Sequence, residues 1–465
     1  MRILALGLLG GCSFTTFDYA TCESGAECRE AFGFGYTCGE AGLCEQIEVE
    51  PRCNAAWPVD LFQRIENYRD AIVLGSLFDH TSDTPETRAA RLAVMQVNDL
   101  SGLDGRPYAI VECTYEENNV YDDRDLIEAT SFTTSWLAET LGVPAIIGPA
   151  TSSAAEAAYT VASPADTVLI SPSATSPSLS TIDGLTKTDD EPGLFWRTAA
   201  PDSLQGAVVA QDMRLRFVDD VAVIYGSGSY GEGLAQVFEK AFRDDGGTVT
   251  LFPFSDDTQR DLAVTSVAAA QPEEVLFISA EGTDVAAFLN AAAVLEPYAT
   301  MPIFLTDSAR DDDVLAGASG AWDLFDQVRG TAPSVPAGAV YDFFSGAYAG
   351  AFSPAAASDS VYTAHTWDAA WLAIYGVAWA AANEDGLTGT NVARGLRHVS
   401  LGTPISINPT SWSQVQAVFD ESAPIDVTGS SGSLDFDPDT EETTAPIDVW
   451  IIDGTSFVTI DTIEP

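Results

Sequence analysis

From Ala71 onward, short apolar runs alternate with longer stretches in which apolar residues return at helical spacing. AIVLGSLF (71–78) reads as a strand; Pro85–Val97, with Ala89, Leu92, Ala93 and Val97 on one side, reads as a helix. YAIVECTY (108–115) is the next strand, after the Gly-Leu-Asp-Gly turn at 102–105, and a helix follows over Leu126–Leu141. Ala145–Gly148 and Val168–Ile170 are short apolar runs closed by turn residues, the form of strands buried on both faces. After Trp196-Arg197-Thr198 the alternation starts again. VAVIY (221–225) precedes a helix from Glu232, TVTLFPF (248–254) a helix around 260–270, VLFIS (275–279) a helix from Asp284, and PIFLT (302–306) closes the series. Trp367–Asn383 is a further long apolar helix, and Ile425 to Ile460 is mostly strand and turn. Two β-α series with compact turns predict an α/β protein of two lobes with parallel sheets.

The stretch 143–179 carries the first candidate chemistry. Each of its two short strands ends in a loop of small hydroxyl residues: Thr151, Ser152 and Ser153 after the first, Ser171, Ser173 and Thr175 after the second. Ser153-Ala-Ala-Glu156 has capping-box spacing, which predicts a helix starting at Ser153 with its first amides free. Ligands of open parallel sheets sit outside the carboxyl ends of the strands, and free helix-start amides suit a carboxylate. The plainer reading is a pair of solvated turns.

Composition narrows the class. At 465 residues the chain exceeds one ordinary domain, and 46% hydrophobic residues supply real cores. The charge is extreme, 69 acidic against 20 basic residues for a net of −49, and Lys187 and Lys240 are the only lysines. No basic footprint for nucleic acid exists. Such a surface repels itself at low salt, which fits a saline habitat.

The beginning of the chain reads as an export signal. Met1-Arg2 and the apolar Ile3–Leu9 run into Leu9-Gly-Gly-Cys12, which looks like a bacterial lipobox. It implies cleavage after residue 11 and a lipid on Cys12, with Ser13 pointing to the outer membrane; the alternative is a mis-assigned start and an ordinary buried cysteine. Residues 12–66 are then a tether with a Cys-rich segment. There Cys22, Cys28, Cys38 and Cys44 are spaced C-x5-C-x9-C-x5-C, and an exported context makes them disulfides rather than a zinc site. Four cysteines allow three pairings; Cys22–Cys38 with Cys28–Cys44 is a working choice among them, and Cys53 and Cys113 are left for each other.

Taken in order, N98-x3-G102-LDGRP, AIIGPATSS, LISPSATSP, FWRTAAPD, VAVIYGSGSYGEGLA, Y362-TAHTWDAAW, GSSGSLDFD and IDVWII resemble the type I periplasmic binding proteins, specifically the branched-chain amino acid (leucine-binding) family. The resemblance implies two Rossmann-like lobes joined by three crossovers. They are expected at 67–197 with 333–437 and at 198–332 with 438–465. It further implies capture of a small, amino acid-like ligand by hinge closure. The loop matching Ser152–Ser153 and the hydroxyl matching Thr175 would hold its carboxylate. The carbonyl matching Ser173 and the acid matching Asp307 would hold its ammonium. An aromatic at Tyr230 and the loop Glu281-Gly282 would close from the second lobe. A tyrosine common in that loop is replaced here by Glu281 or Gly282, which puts an apolar side-chain specificity in doubt.

The implied protein is a lipoprotein of the cell envelope, periplasmic or outer-membrane. It would serve an ABC transporter permease or a sensor, with neither cofactor nor metal. The Cys-rich segment favours an alternative, the same fold used as a protein-interaction or regulatory module. Catalysis is not expected, since no G-x-S-x-G elbow is present. Gly226-x-Gly228-x-x-Gly231 matches a dinucleotide fingerprint, but TVTLFPF ends without the acid that reading needs. Asp435-x-Asp437-x-Asp439-x-Glu441 lacks the glycine and final glutamate of a calcium loop. His80, His365 and His398 are scattered, with His365 read as structural.

Overall fold

A computed structural model of the protein describes residues 21–79, 84–334 and 338–464. The expected signal peptide, the lipobox Cys12 and His80 lie outside the described residues.

Two sheets organise the chain. The first has six strands in the order Ala55–Trp57, Tyr108–Thr114, Ile72–Phe78, Ala145–Ile147, Val168–Ser171 and Phe195–Arg197. All are parallel except Ala55–Trp57, which runs antiparallel to its neighbour. The second sheet orders seven strands as Thr248–Phe254, Asp220–Gly226, Glu274–Ile278, Ile303–Leu305, Val328–Pro333, Ile447–Asp453 and Ser456–Ile463. Its first five strands are parallel and its last two antiparallel. Every residue of Ile72–Phe78 and of Tyr108–Thr114 is buried, so these strands read as unbroken apolar runs. Thr248–Phe254 alternates instead because it is an edge, where Pro253 costs no ladder bond.

After Pro333 the chain returns to the first lobe. The helices Ala339–Phe352, Thr363–Asn383, Gly389–Leu396 and Trp412–Phe419 pack on the first sheet, with Trp367, Trp371 and Tyr375 in one core with Leu74 and Ile110. The chain then rejoins the second sheet at Ile447. Thr363–Asn383 is apolar all round because it is buried, from Thr363 through Ala380, inside this lobe. Among the described residues, no helix is long and apolar enough to cross a membrane. The buried Arg197, at the first crossing, forks onto Glu442 at the third (2.7 and 2.6 Å) and donates to the carbonyls of Ala174 and Ser176.

The N-terminal segment is a docked module. Cys22–Cys38 and Cys28–Cys44 staple the helix Gly25–Phe32 to a hairpin of Tyr36–Cys38 and Cys44–Gln46, and Cys53–Cys113 ties the segment to the first sheet. Phe34 enters the first lobe's core beside Phe62, and Arg29 donates to Thr140 O (3.1 Å). The expected tether therefore ends too late. Ala55–Trp57 is an edge strand of the first sheet, and Leu61 and Ile65 are core residues.

Helix starts also shift. The expected starts at Glu232 and Asp284 move forward to Ser229 and Gly282, because the glycine-rich loops before them already turn helically. Around 143–179 the helix is Ser152–Ala162 with Thr151 at the cap position, and the expected Ser153–Glu156 capping box does not form. Both side chains turn to other partners: Ser153 Oγ accepts from Ser229 N (3.3 Å), and Glu156 accepts from the hydroxyls of Ser178 and Ser229.

Candidate functional site

The carboxyl ends of the parallel strands of both lobes face each other across a cleft of about 280 Å³. From the first lobe come Phe78-Asp79, Glu86, Ala150–Ser152, Ser173 and Ser360–Tyr362; from the second come Tyr230, Ala280–Gly282, Asp307, Ser308, Arg310 and Asp311. This is where an open parallel sheet leaves loops free to meet a ligand.

Local chain geometry sets the walls. Gly148 has φ +107° and passes so close to Ile72–Phe78 that a Cβ would lie 2.3 Å from Leu77 O, which brings Thr151 and Ser152 to the cleft. Gly231 serves the opposite wall: its Cβ would lie 2.1 Å from Gly226 O. The G-x-G-x-x-G turn is tight for this reason, and its product is the placement of Tyr230 in the cleft. The rim is bridged by Ser229 on Ser153, by Ser229 Oγ on Glu156 and by Ser176 Oγ on Ser229 O (2.8 Å).

Asp307 forms the floor. Tyr230 OH and Gln205 Nε2 donate to its Oδ1 (2.5 and 3.1 Å), and Tyr362 OH donates to its Oδ2 (2.6 Å). A carboxylate offers about four acceptor positions, so one remains for a donor in the cleft. Burial, then the negative charge of Asp307, pushes the Tyr230 and Tyr362 phenols well above their ordinary value, so both remain donors. Behind Asp307 lies the fully buried Asp202, its carboxyl pushed well up by burial and then by the Asp307 charge.

Five of the residues expected at the site, Ser152, Ser173, Tyr230, Glu281 and Asp307, line this cleft. Ser153 lines the adjoining end, with Ser152, Tyr230 and Glu281. Thr175 does not reach it: it is buried, and its hydroxyl donates to Asp202 Oδ2 (3.0 Å). The Ser173 hydroxyl is turned onto Ala150 O (2.9 Å), within its own lobe. Sequence reasoning missed Tyr362, Asp79, Glu86 and Asp311. Asp79 could have been found, since it directly follows a buried strand; Tyr362 and Glu86 precede or open helices, and only the lobe packing shows which helix starts face the cleft.

The histidine and the acidic turn outside the cleft have local structural roles. His365 is buried under Tyr362 and pushed down to about 4 by burial, and its carbonyl accepts from Thr198. Asp437 turns inward to accept from the amides of Asp439 and Thr440 (3.0 and 2.9 Å).

The family model described as the receptor family ligand binding region matches residues 86–455. The leucine-, isoleucine-, valine-, threonine-, and alanine-binding protein of Pseudomonas aeruginosa is 28% identical over 165 residues. That match covers 35% of this chain and 39% of the relative, so the chain spans about two fifths of the length of the curated relative it matches. Among solved structures, the branched-chain amino acid transporter substrate-binding protein LivJ of Streptococcus pneumoniae, in complex with isoleucine, superposes with a TM-score of 0.63 at 18% identity. The superposition covers 85% of this chain and 100% of that one. A solute-binding protein of R. palustris in complex with benzoate gives 0.62 at 18% identity, over 85% and 97%. The two facing α/β lobes, the order of their strands and the family match over residues 86–455 agree: the chain belongs to the receptor family of ligand-binding regions and has the type I periplasmic binding protein fold of the branched-chain amino acid binding proteins.

Proposed function

We propose that this protein is an extracytoplasmic solute-binding protein that captures an amino acid or a related small molecule between its lobes and serves an ABC importer or a sensor. The observation that carries the reading is the floor of the cleft, a carboxylate fixed by Tyr230, Gln205 and Tyr362 with one acceptor position left. Opposite it, the helix Ser152–Ala162 starts at the cleft, and Thr151 makes no side-chain cap bond to its first turn. An α-ammonium on Asp307 and an α-carboxylate on the Ser152–Ser153 amides use both poles. About five charge-assisted bonds of roughly 1.5–3 kcal/mol each would offset association costs and leave roughly micromolar binding. The reading is binding rather than catalysis, with anchoring by a lipid on Cys12 in the cell envelope.

A thermal-shift screen against the twenty amino acids, benzoate and other small carboxylates tests it. A ligand at 100 times its Kd adds about 2.7 kcal/mol of stability, and Asp307→Ala should abolish the shift. No shift with any of them would remove the small-ligand reading. The alternative, an interaction module, draws on the docked N-terminal segment, whose Phe34 and Arg29 pack onto the first lobe where a plain tether would not. It predicts that replacing residues 21–50 by a flexible linker leaves ligand binding intact and abolishes only partner recognition.

A further inference from the structure

The acid on the cleft floor is held from behind by a side chain that never meets the cleft. Gln205 is 2% exposed and lines neither the cleft nor its adjoining end. Its Nε2 nevertheless donates twice, to Asp307 Oδ1 and to Thr331 Oγ1, both at 3.1 Å. Tyr230 OH also donates to Oδ1, so the two lone pairs of that oxygen are filled. Among the described residues Oδ2 accepts only from Tyr362 OH, so the acceptor position left for a ligand is on Oδ2. Which oxygen faces the cleft is therefore fixed by the donors on the other one. Tyr230 also lines the cleft, whereas Gln205 can act on a ligand only through Asp307.

Gln205 is itself held. It stands in the first turn of Asp202–Leu215, and Thr331 lies fully buried in Val328–Pro333. That strand pairs Gly330 with Leu305, just ahead of Asp307. Helix, strand and acid all belong to the second lobe, so they stay together when the lobes part. Tyr362 belongs to the first lobe, and its bond to Oδ2 exists only while the lobes are together. In the open protein the orientation of Asp307 therefore rests on Tyr230 and Gln205. A buried amide costs free energy unless its polar atoms are bonded. Here both donor hydrogens are spent, one on the cleft acid and one on the strand beside it.

We propose that Gln205 is a positioning residue for capture: anchored on Thr331, it holds Asp307 Oδ1 in the open protein and keeps Oδ2 turned to the cleft for a ligand ammonium before Tyr362 arrives. This rests on the reading of Asp307 as the ammonium acceptor and says what presets it. A carboxylate free to rotate would have to be ordered by each arriving ligand, and that ordering is subtracted from affinity. A ligand without an α-ammonium does not use Oδ2 and is spared the loss.

Isothermal titration calorimetry of the purified full chain with pairs of an amino acid and its deaminated acid tests the proposal. The pairs are L-leucine with isocaproate, L-phenylalanine with hydrocinnamate, L-lysine with ε-aminocaproate and L-glutamate with glutarate. In the pair that the wild type binds most tightly, Gln205→Leu is expected to weaken the amino acid about tenfold and the deaminated acid less than about threefold. Thr331→Val, which keeps the shape and removes the hydroxyl, should weaken the amino acid about threefold, and Thr331→Ser should restore it. If Gln205→Leu melts before titration, the two Thr331 variants carry the test. Equal losses for both members of the pair make Gln205 a packing residue and overturn the proposal. Amino acid binding unchanged by Gln205→Leu, or by Thr331→Val, overturns it as well. In each of these cases wild-type binding of the amino acid leaves the amino acid reading standing. A wild type that prefers the deaminated acid, or binds no member of any pair, overturns the reading of Asp307 and the proposal with it.

Discussion

Asp307 shows how few side chains can define a site. Its three donors come from three different segments: Tyr230 and Gln205 from second-lobe helices and Tyr362 from the first lobe. Removing the Tyr362 hydroxyl leaves a buried carboxylate oxygen without its donor, so Tyr362→Phe should lower stability by about 1–3 kcal/mol in denaturant titration. Elsewhere, buried carboxyls make stability depend on pH. Glu441 is pushed up to about 7 and Asp368 to about 6, each mainly by burial, which outweighs Arg397 on the first and the Ser430–Ser431 donors on the second. A carboxyl raised in the folded state contributes stability that is fully present below its unfolded value and lost as pH rises through the folded one. Stability should therefore decline between about pH 4.5 and pH 7, and Glu441→Gln should flatten the upper part of that decline in melting curves taken at constant salt.

At the scale of elements, two helix starts meet across the rim. The start of Ser229–Asp244 is seated on Ser153, Glu156 and Ser176 next to the start of Ser152–Ala162. These bonds exist only while the lobes are together, so they bias closure without touching the floor of the cleft. Glu156→Ala removes two hydroxyl partners, those of Ser178 and Ser229. It should weaken ligand binding several-fold, at about 0.5–1.5 kcal/mol per bond, and raise the ligand-free radius of gyration in small-angle scattering. The Cys53–Cys113 bridge acts on another link, closing a loop with a separation of 60 residues. By chain entropy it stabilises by about 4 kcal/mol, so the paired Cys53→Ser, Cys113→Ser variant should unfold at lower denaturant with the same ligand preference.

For the whole molecule, the net charge of −49 governs behaviour that no single contact explains. Repulsion among so many carboxylates opposes the compact state, and it is screened within about 8–10 Å near physiological ionic strength. The melting temperature should climb with added salt well beyond that range; a flat response between low and molar salt would remove self-repulsion as a determinant of stability. Screening also separates surface from cleft, since partly buried pairs lose less to salt than exposed ones.

The strands and most helices were legible along the chain because burial on both faces writes an unbroken apolar run, as in Ile72–Phe78, and a half-exposed helix writes a 3.6-residue period. The hydroxyl loops at 151–153 and 171–175 were legible too, since parallel strands must end in loops that face a ligand. What those residues do was decided elsewhere. Ser153 and Glu156 have capping-box spacing, yet the second lobe supplies partners across the rim, and the box is not made. Thr175 belongs to the expected set, yet it is buried on Asp202. The acids at 79, 86, 281, 307 and 311 lie far apart along the chain and share one cavity only because two lobes face each other. Periodicity is a local property, written by each element's own burial. The composition of a cleft is not local: it depends on which ends of which elements the packing brings face to face.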